Sequence, residues 1–177
     1  MSRTFLENVQ AAQPIRDLAL TLSESCQSRE PGGHTLCLST LQGNLIVLLV
    51  LGVDCSSCRH VAGVLSGLRK EYSSLEVVGT CVQTGCQEKL PDFAKSTDVQ
   101  FPLGYCPTRE LCAAIGIPAS MWLFYPTLIF VDQRQRLRAV FVGKHDFFHD
   151  PATNIRAVLD QLIRETSQQV RQTEVTA

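Results

Sequence analysis

The hydrophobic positions of this chain fall into runs whose spacing alternates between that of a strand and that of a helix. Leu45–Leu51 is apolar at every position, which is typical of a central parallel strand covered by helices on both faces. Apolar residues then recur at helical spacing from Val61 to Tyr72. Leu75–Val82 comes next and has the β-branched composition of a strand. This alternation predicts an α/β fold.

Shorter elements flank this unit. The pattern predicts two short strands before it and two short helices after it, over Asp17–Leu22, His34–Leu38, Gln87–Ser96 and Thr108–Ile115. Pro107 opens the last of these helices and Gly116 ends it.

The C-terminal part of the chain predicts a hairpin followed by a helix. Thr127–Asp132 and Leu137–Val142 have the pattern of two strands joined by a polar turn. Apolar residues from Ile155 to Ile163 share one helical face, and Asn154 is the expected N-cap. The polar chain beyond Arg164 is expected to fray.

These elements predict one domain built on a central mixed sheet with helices on both faces. The domain is expected to span residues 1–170, with its core at about 34–166 and an N-terminal extension before it. Residues 171–177 form a polar tail.

Composition narrows the possible functions. Hydrophobic residues make up 45% of the chain and charged residues 19%, with a net charge of -1, so nothing points to nucleic acid. The basic residues Arg134, Arg136 and Arg138 are interpreted as a solvated sheet edge. The longest apolar run, Leu45–Val53, is far shorter than the ~20 residues of a membrane span. Met1–Ala12 has no signal-type apolar segment, so a cytoplasmic location is expected.

Two of the eight cysteines form the motif Cys55-Ser56-Ser57-Cys58, between the buried strand and the helix after it. A helix N-terminus stabilises a thiolate through its unpaired N–H groups and its partial positive charge. A thiol one turn later can attack the mixed disulfide that this thiolate forms. The spacing therefore predicts Cys55 as the exposed nucleophile and Cys58 as the more buried resolving thiol. Asp54 is a candidate helix cap whose charge opposes a thiolate, and Arg59 acts in the opposite sense.

From Gly43 to about Gly143 the chain resembles the thioredoxin-like proteins of the TlpA/ResA redoxin type. The matching segments occur in the family's order: Leu41–Asn44, Cys55–Cys58, Phe101–Leu103, Ala114–Ile117, Tyr125–Asp132 and Val142–Gly143. The resemblance implies a thioredoxin-like fold and a thiol–disulfide oxidoreductase. Its partners would be protein or small-molecule thiols and disulfides, together with a separate redox partner.

The resemblance also assigns a substrate-binding segment. It implies that Pro126 is cis, packs against the cysteine pair and, with Tyr125, holds an extended substrate chain. No metal, nucleotide or flavin is implied, and the sequence has no glycine-rich phosphate loop.

Several positions depart from the family pattern. Asp54 stands where a tryptophan is usual, Leu49 where thioredoxin has a buried acid, and Gln135 where the hairpin turn has glycine. Trp122 lies in the segment Pro118–Phe124, which resembles a short insertion. Met121 to Phe124 are either an exposed apolar lip that binds a partner polypeptide or the packing of an extra turn.

Two other classes of function stay open. A peroxiredoxin-like peroxide reductase needs a threonine three residues before its cysteine, with a proline earlier, where this chain has Gly52 and Leu48. A non-catalytic metal module is the other: His145 and His149 have a zinc-ligand spacing, and His60 is a candidate copper ligand beside the cysteine pair. His145 and His149 are expected in a surface loop.

The remaining cysteines allow two further pairs. Cys81 with Cys86, and Cys106 with Cys112, are close enough in sequence to close a disulfide across a loop. Buried free thiols are the favoured interpretation for all four, and also for Cys26 and Cys37.

Overall fold

The computed structural model describes residues 13–23, 35–118 and 124–175, with side chains through residue 168. Within these residues seven strands form one mixed sheet. In chain order they are β1 (Ala19–Leu22), β2 (Thr35–Cys37), β3 (Leu45–Val50), β4 (Leu75–Cys81), β5 (Leu103–Tyr105), β6 (Thr127–Val131) and β7 (Leu137–Val142). The helices are α1 (Ser56–Glu71), α2 (Leu90–Thr97), α3 (Thr108–Ile115) and α4 (Pro151–Val175).

The strand order across the sheet is β2-β1-β5-β4-β3-β6-β7. β3, β4 and β5 run parallel, whereas β6 is antiparallel to β3 and to β7. The predicted central strand is confirmed as β3, in which every residue is buried. Its parallel partner lies on one side only, since its other neighbour β6 is antiparallel.

The sheet has an apolar core on each face, as the uninterrupted hydrophobic run of β3 predicts. Leu45, Val47 and Leu49 point to one face, which α1, α2 and α4 cover. The residues between them point to the other face, where α3 packs. The predicted α/β architecture with helices on both faces is therefore confirmed. None of the described helices has the length and apolar character that crossing a bilayer requires.

The register between β3 and β6 positions the candidate site. Val50, the last residue of β3, pairs with Thr127, the first residue of β6. The chain leaving β3 toward Cys55 therefore starts beside the chain that enters β6 from Tyr125 and Pro126. Antiparallel pairing brings together two segments that lie about 70 residues apart in sequence.

Two predicted elements need correction, and one strand was not predicted. The helix expected over Gln87–Ser96 is split into a 3-10 turn at Cys86–Lys89 and α2, which has Pro91 in its first turn. The strand β5 was not predicted, because its three residues include Gly104 and carry no periodic signal.

The start of α4 differs from the prediction as well. Asn154 is not the N-cap: Asp150 Oδ1 accepts the Thr153 N–H at 3.2 Å, and Asn154 donates to the Phe147 carbonyl. Pro151 suits the first helical turn, which places the start earlier than the apolar face suggested. The helix also continues past Arg164 to Val175. The domain limits stay a prediction.

The hairpin of β6 and β7 is held by a nearly buried carboxylate. Asp132 is 3% exposed and accepts backbone N–H groups of Arg134 and Arg136. Its side chain pairs with Arg136 and with Arg138, which also pairs with Glu165. Burial by itself raises the pKa of Asp132, but the hydrogen bonds from Arg136 and Arg134 lower it overall. Two of the three clustered arginines therefore neutralise an internal carboxylate instead of forming a purely solvated edge.

The turn of this hairpin explains one departure from the family pattern. Gln135 has φ 57°, a left-handed conformation that glycine adopts at lower cost. Gln135 therefore stands at a position whose backbone favours glycine.

Candidate active site

The cysteine motif begins α1 at the end of β3. Cys55 is the N-cap residue: its backbone is extended, and its Sγ accepts the Cys58 N–H at 3.2 Å. The thiol sulfur thus occupies the place of a capping side-chain oxygen, where helix dipole and free N–H groups favour negative charge. The proposal that Asp54 caps the helix is wrong. Asp54 points to Lys89, 3.4 Å away, with 84% of its side chain exposed.

The two sulfurs of the motif differ in access. Cys55 is half-buried. Cys58 lies on α1 and is completely buried, in the core on the face of the sheet that α1 covers. Burial, followed by the side-chain hydrogen bond with Cys55, raises the pKa of Cys58 far above its ordinary value. One thiol is therefore reachable from solvent while the other is held protonated behind it.

The Tyr125–Pro126 bond is cis, as the resemblance implies, and lies beside the motif. A Cβ at Gly52 would come within 2.9 Å of the Tyr125 ring, so this glycine makes room for the ring next to Cys55. Burial raises the pKa of Tyr125, and the neighbouring Cys58 and Cys55 raise it further. All four predicted site residues are thus close together at one edge of the sheet.

Two positions singled out from the sequence take other roles. Arg59 donates to the Val53 carbonyl at 3.1 Å and to Ser96, and its guanidinium lies 5.3 Å from the Phe93 ring centre. It braces the loop before Cys55 against α2. Leu49 is fully buried on the same face as Cys58, so the position of the thioredoxin acid is apolar here.

A cavity of about 560 Å³ opens beside the motif. It is bounded by α1, by the cis-proline loop and by the chain after β7. Its lining residues are Ser56, Ser57, His60, Val61, Tyr125, Pro126, Lys144, His145, Phe148 and His149. Sequence reasoning missed Lys144 and Phe148 as part of this site, since neither belongs to a motif and only the fold brings them to α1.

The three histidines singled out as metal ligands all line this cavity. His145 and His149 lie after β7, as expected, in and beside the 3-10 turn Asp146–His149. His145 Nδ1 accepts the Phe147 N–H at 3.0 Å, and His149 Nδ1 lies 4.0 Å from Asp146. Across the residues described, no cluster of three or more His, Cys, Asp or Glu side chains has the arrangement of a metal site.

A second cysteine pair lies at the same edge of the sheet. Cys81 and Cys86 form a disulfide with their Cα atoms 6.3 Å apart, so the free-thiol interpretation is wrong for this pair. Gly85, with φ 80°, turns the chain back so that Cys86 meets the end of β4. Sequence spacing allowed this bridge but did not show that the loop would close.

The other described cysteines are free thiols, as favoured from the sequence. Cys106 and Cys112 are buried, and Cys37 is half-buried. Cys106 Sγ contacts Thr80 Oγ1 at 3.4 Å, and burial raises the pKa of Cys106 to about 11. Cys26 lies outside the described residues.

The apolar lip expected at Met121–Phe124 falls mostly on residues 119–123, which are outside the described part of the chain. Phe124 is described and is 47% exposed. Lys144 Nζ lies 5.2 Å from the centre of its ring.

The sheet order, the cysteine pair at the start of α1 and the facing cis-proline define a redoxin with a thioredoxin-like fold. A sequence profile described as the AhpC/TSA family matches residues 12–140. The chain therefore belongs to the AhpC/TSA family, and the redoxin class and oxidoreductase activity predicted from the sequence are confirmed.

Solved structures show the same fold at low sequence identity. A DsbF homologue from Corynebacterium diphtheriae is 22% identical with a TM-score of 0.66, over 85% of this chain and 87% of that one. A thioredoxin-family thiol:disulfide interchange protein from Chlorobium tepidum is 15% identical with a TM-score of 0.63, over 82% and 95%. The peroxidoxin BcpB from Mycobacterium tuberculosis is 18% identical with a TM-score of 0.61, over 85% and 99%. A comparison with curated protein sequences finds no match.

Proposed function

We propose that this redoxin is a dithiol–disulfide oxidoreductase whose redox centre is the pair Cys55 and Cys58. One observation carries the proposal. The half-buried Cys55 sulfur sits at the N-terminus of α1, and the fully buried Cys58 lies one turn behind it. This arrangement separates an attacking sulfur from a resolving one.

In the first step, the Cys55 thiolate attacks one sulfur of a substrate disulfide. A bond forms between that sulfur and Cys55, the substrate S–S bond breaks, and the other substrate sulfur leaves as a thiolate that takes a proton. The backbone N–H of Cys58, which points at Cys55 Sγ, stabilises the attacking charge.

In the second step, the sulfur of Cys58 attacks the sulfur of Cys55. The Cys55–Cys58 disulfide forms while the bond between Cys55 and the substrate sulfur breaks, and the proton lost by the Cys58 thiol is balanced by the proton that the departing substrate thiolate takes up. Two electrons have then passed from the protein to the substrate. A dithiol reductant must return them before the next cycle, and the reverse sequence oxidises a dithiol substrate.

Tyr125 and Pro126 are proposed to hold the substrate beside Cys55. They line the cavity next to the motif, and the proline nitrogen has no hydrogen that would compete for partners. An extended substrate chain can then hydrogen-bond to the backbone before Pro126.

Peroxide reduction is the second candidate, because the family profile and one structural neighbour belong to peroxide-reducing classes by name. The limited space around Gly52 argues against peroxide reduction. A Cβ there would lie 2.9 Å from the Tyr125 ring, so the threonine of the peroxiredoxin pattern would require that ring to shift. Hydrogen peroxide with a sulfenate trap separates the two, since only a peroxide reductase turns peroxide over through a Cys55 sulfenic acid.

The proposed site is tested by disulfide reduction with dithiothreitol. Cys55→Ser is expected to lower the rate on the order of 10³-fold or more, because the nucleophile is lost. Cys58→Ser is expected to trap a mixed disulfide at Cys55, which mass spectrometry detects as added substrate mass.

Cys37→Ser is the matched control, since Cys37 is also a half-buried free thiol but lies on β2. It should react like the wild type. Equal rates in all four proteins would contradict the proposal.

The cytoplasmic location stays a prediction. Stable disulfides such as Cys81–Cys86 are commoner in oxidising compartments.

A further inference from the structure

We infer that the cavity beside Cys55 selects small disulfides that carry negative charge, with Lys144 as the main determinant and His60 and His149 assisting. The inference rests on the proposed function of Cys55 and adds the class of substrate to it. The volume of the cavity, about 560 Å³, lies in the range of small-molecule sites.

The polar lining of the cavity has one sign. Lys144 is a cationic side chain, and the imidazole rings of His60 and His149 each offer an N–H donor. None of the ten described lining residues is an aspartate or a glutamate. A carboxylate near the scissile disulfide would therefore meet donors on several sides, whereas an ammonium would meet a like charge.

The acidic residues that form ion pairs in this region pair with residues other than Lys144. Asp54 is paired with Lys89 on the other flank of the motif. Asp146 lies 4.0 Å from His149, with 75% of its side chain exposed. Among the described residues, the ion pairs do not include Lys144.

The backbone at Lys144 adds an independent observation. Its φ is 73°, a conformation that favours glycine, and it comes directly after Gly143. Gly143 packs so closely on Tyr125 that a Cβ there would lie 2.6 Å from the Tyr125 carbonyl oxygen. A lysine is thus held in a left-handed conformation at the point where the chain touches the substrate-binding loop, and this turn fixes its backbone beside Tyr125.

The experiment compares three small disulfides of similar length under otherwise equal conditions. Dithiodipropionate carries two carboxylates, bis(2-hydroxyethyl) disulfide is neutral, and cystamine carries two ammonium groups. For the wild type we expect kcat/KM to fall in that order, with the dianion preferred over the dication by roughly tenfold at low salt. Added salt should shrink the difference, because exposed charges are screened.

Lys144→Glu should abolish or invert the order of preference among the three disulfides. His149 is exposed, and His149→Glu should shift the preference in the same direction by a smaller factor. The matched control is Lys95→Glu, the same charge reversal at an exposed position on α2 away from the cavity. It should leave the order unchanged. Substitutions at two positions keep the test valid if one variant folds poorly.

Two negative results have different meanings. If the wild type reduces all three disulfides equally well, or if Lys144→Glu and Lys95→Glu behave alike, the charge selectivity is overturned while the proposed function stands. If the wild type reduces none of them, the proposed function falls and this inference falls with it.

Discussion

The two cysteine pairs at the carboxyl edge of the sheet come after neighbouring parallel strands, yet they have opposite properties. Cys55 and Cys58 come after β3 and are free, with one sulfur accessible. Cys81 ends β4 and is bonded to Cys86, and both are nearly inaccessible, at 1% and 5% exposure. Two short spacings, of three and five residues, have therefore produced one pair of free thiols and one disulfide.

The path of the chain beyond each strand explains the difference. After β3 the chain enters the 16 residues of α1, whose first turn supplies N–H groups to a sulfur. After β4 it makes only a tight turn, which folds Cys86 back onto the core. A helix N-terminus activates a thiolate, whereas a buried loop closure removes both thiols from reaction. The two regions touch through the exposed pair of Asp54 and Lys89.

The largest expected effect is the pH dependence of the rate at which Cys58 releases a mixed disulfide from Cys55. Burial raises the pKa of Cys58, so the thiol is mostly protonated near neutral pH. Release of a mixed disulfide needs the thiolate, whose fraction grows about tenfold per pH unit below the pKa. We expect the release rate to rise about 100-fold between pH 6 and pH 8, measured by acid quench and mass spectrometry.

The Cys58→Ala protein, which has no resolving thiol, should hold the mixed disulfide at every pH. A release rate in the wild type that does not change with pH would contradict the assignment of Cys58 as the resolving thiol.

The second prediction concerns the bonded pair. The double substitution Cys81→Ala and Cys86→Ala should lower the free energy of unfolding by about 2 kcal/mol, the chain-entropy value for a short loop. Disulfide reduction by Cys55 should stay near the wild-type rate, because the bonded pair takes no part in the reaction. Urea denaturation and the dithiothreitol assay check the two parts.

Replacing Cys106 and Cys112 by alanine in the same way is the matched control. These thiols are also buried but unbonded, so the control measures the cost of the substitution alone. If both double variants lose the same stability, the disulfide contributes nothing. If the first loses activity as well, the bonded pair is not merely structural.

The smallest effect is expected at the contact between the two regions. Lys89→Gln removes the pair with Asp54, but both side chains are largely exposed, at 62% and 84%. Such pairs contribute about 0–1 kcal/mol, so we expect stability within about 0.5 kcal/mol of the wild type and rates within about twofold. Lys95→Gln serves as the comparison. A several-fold change in rate for Lys89→Gln alone would mean that the two regions are coupled.

Much of the fold was predictable because its strongest signals are local. The apolar run of β3 and the helical spacing after it predict a buried strand followed by α1, and both are present. The weak elements were less predictable. β5 is three residues long, and the cap of α4 depends on Asp150, which lies outside the apolar repeat.

The features of the candidate site likewise fall into those that the sequence predicted and those that it did not. Cys55 and Cys58 were predictable from spacing, and Pro126 from its place in an ordered set of family segments. Lys144 and the Cys81–Cys86 bridge were not, since each depends on where a turn sends the chain.

By itself, then, the sequence determined the class of fold and the pair of sulfurs, because periodicity and a two-residue spacing are properties of neighbouring residues. Only the tertiary structure decided which other cysteines bond and which charges line the cavity. Access and contact depend on segments far apart in the chain, such as those that Val50 and Thr127 bring together. The strand register that joins them is set by the packing of the whole sheet.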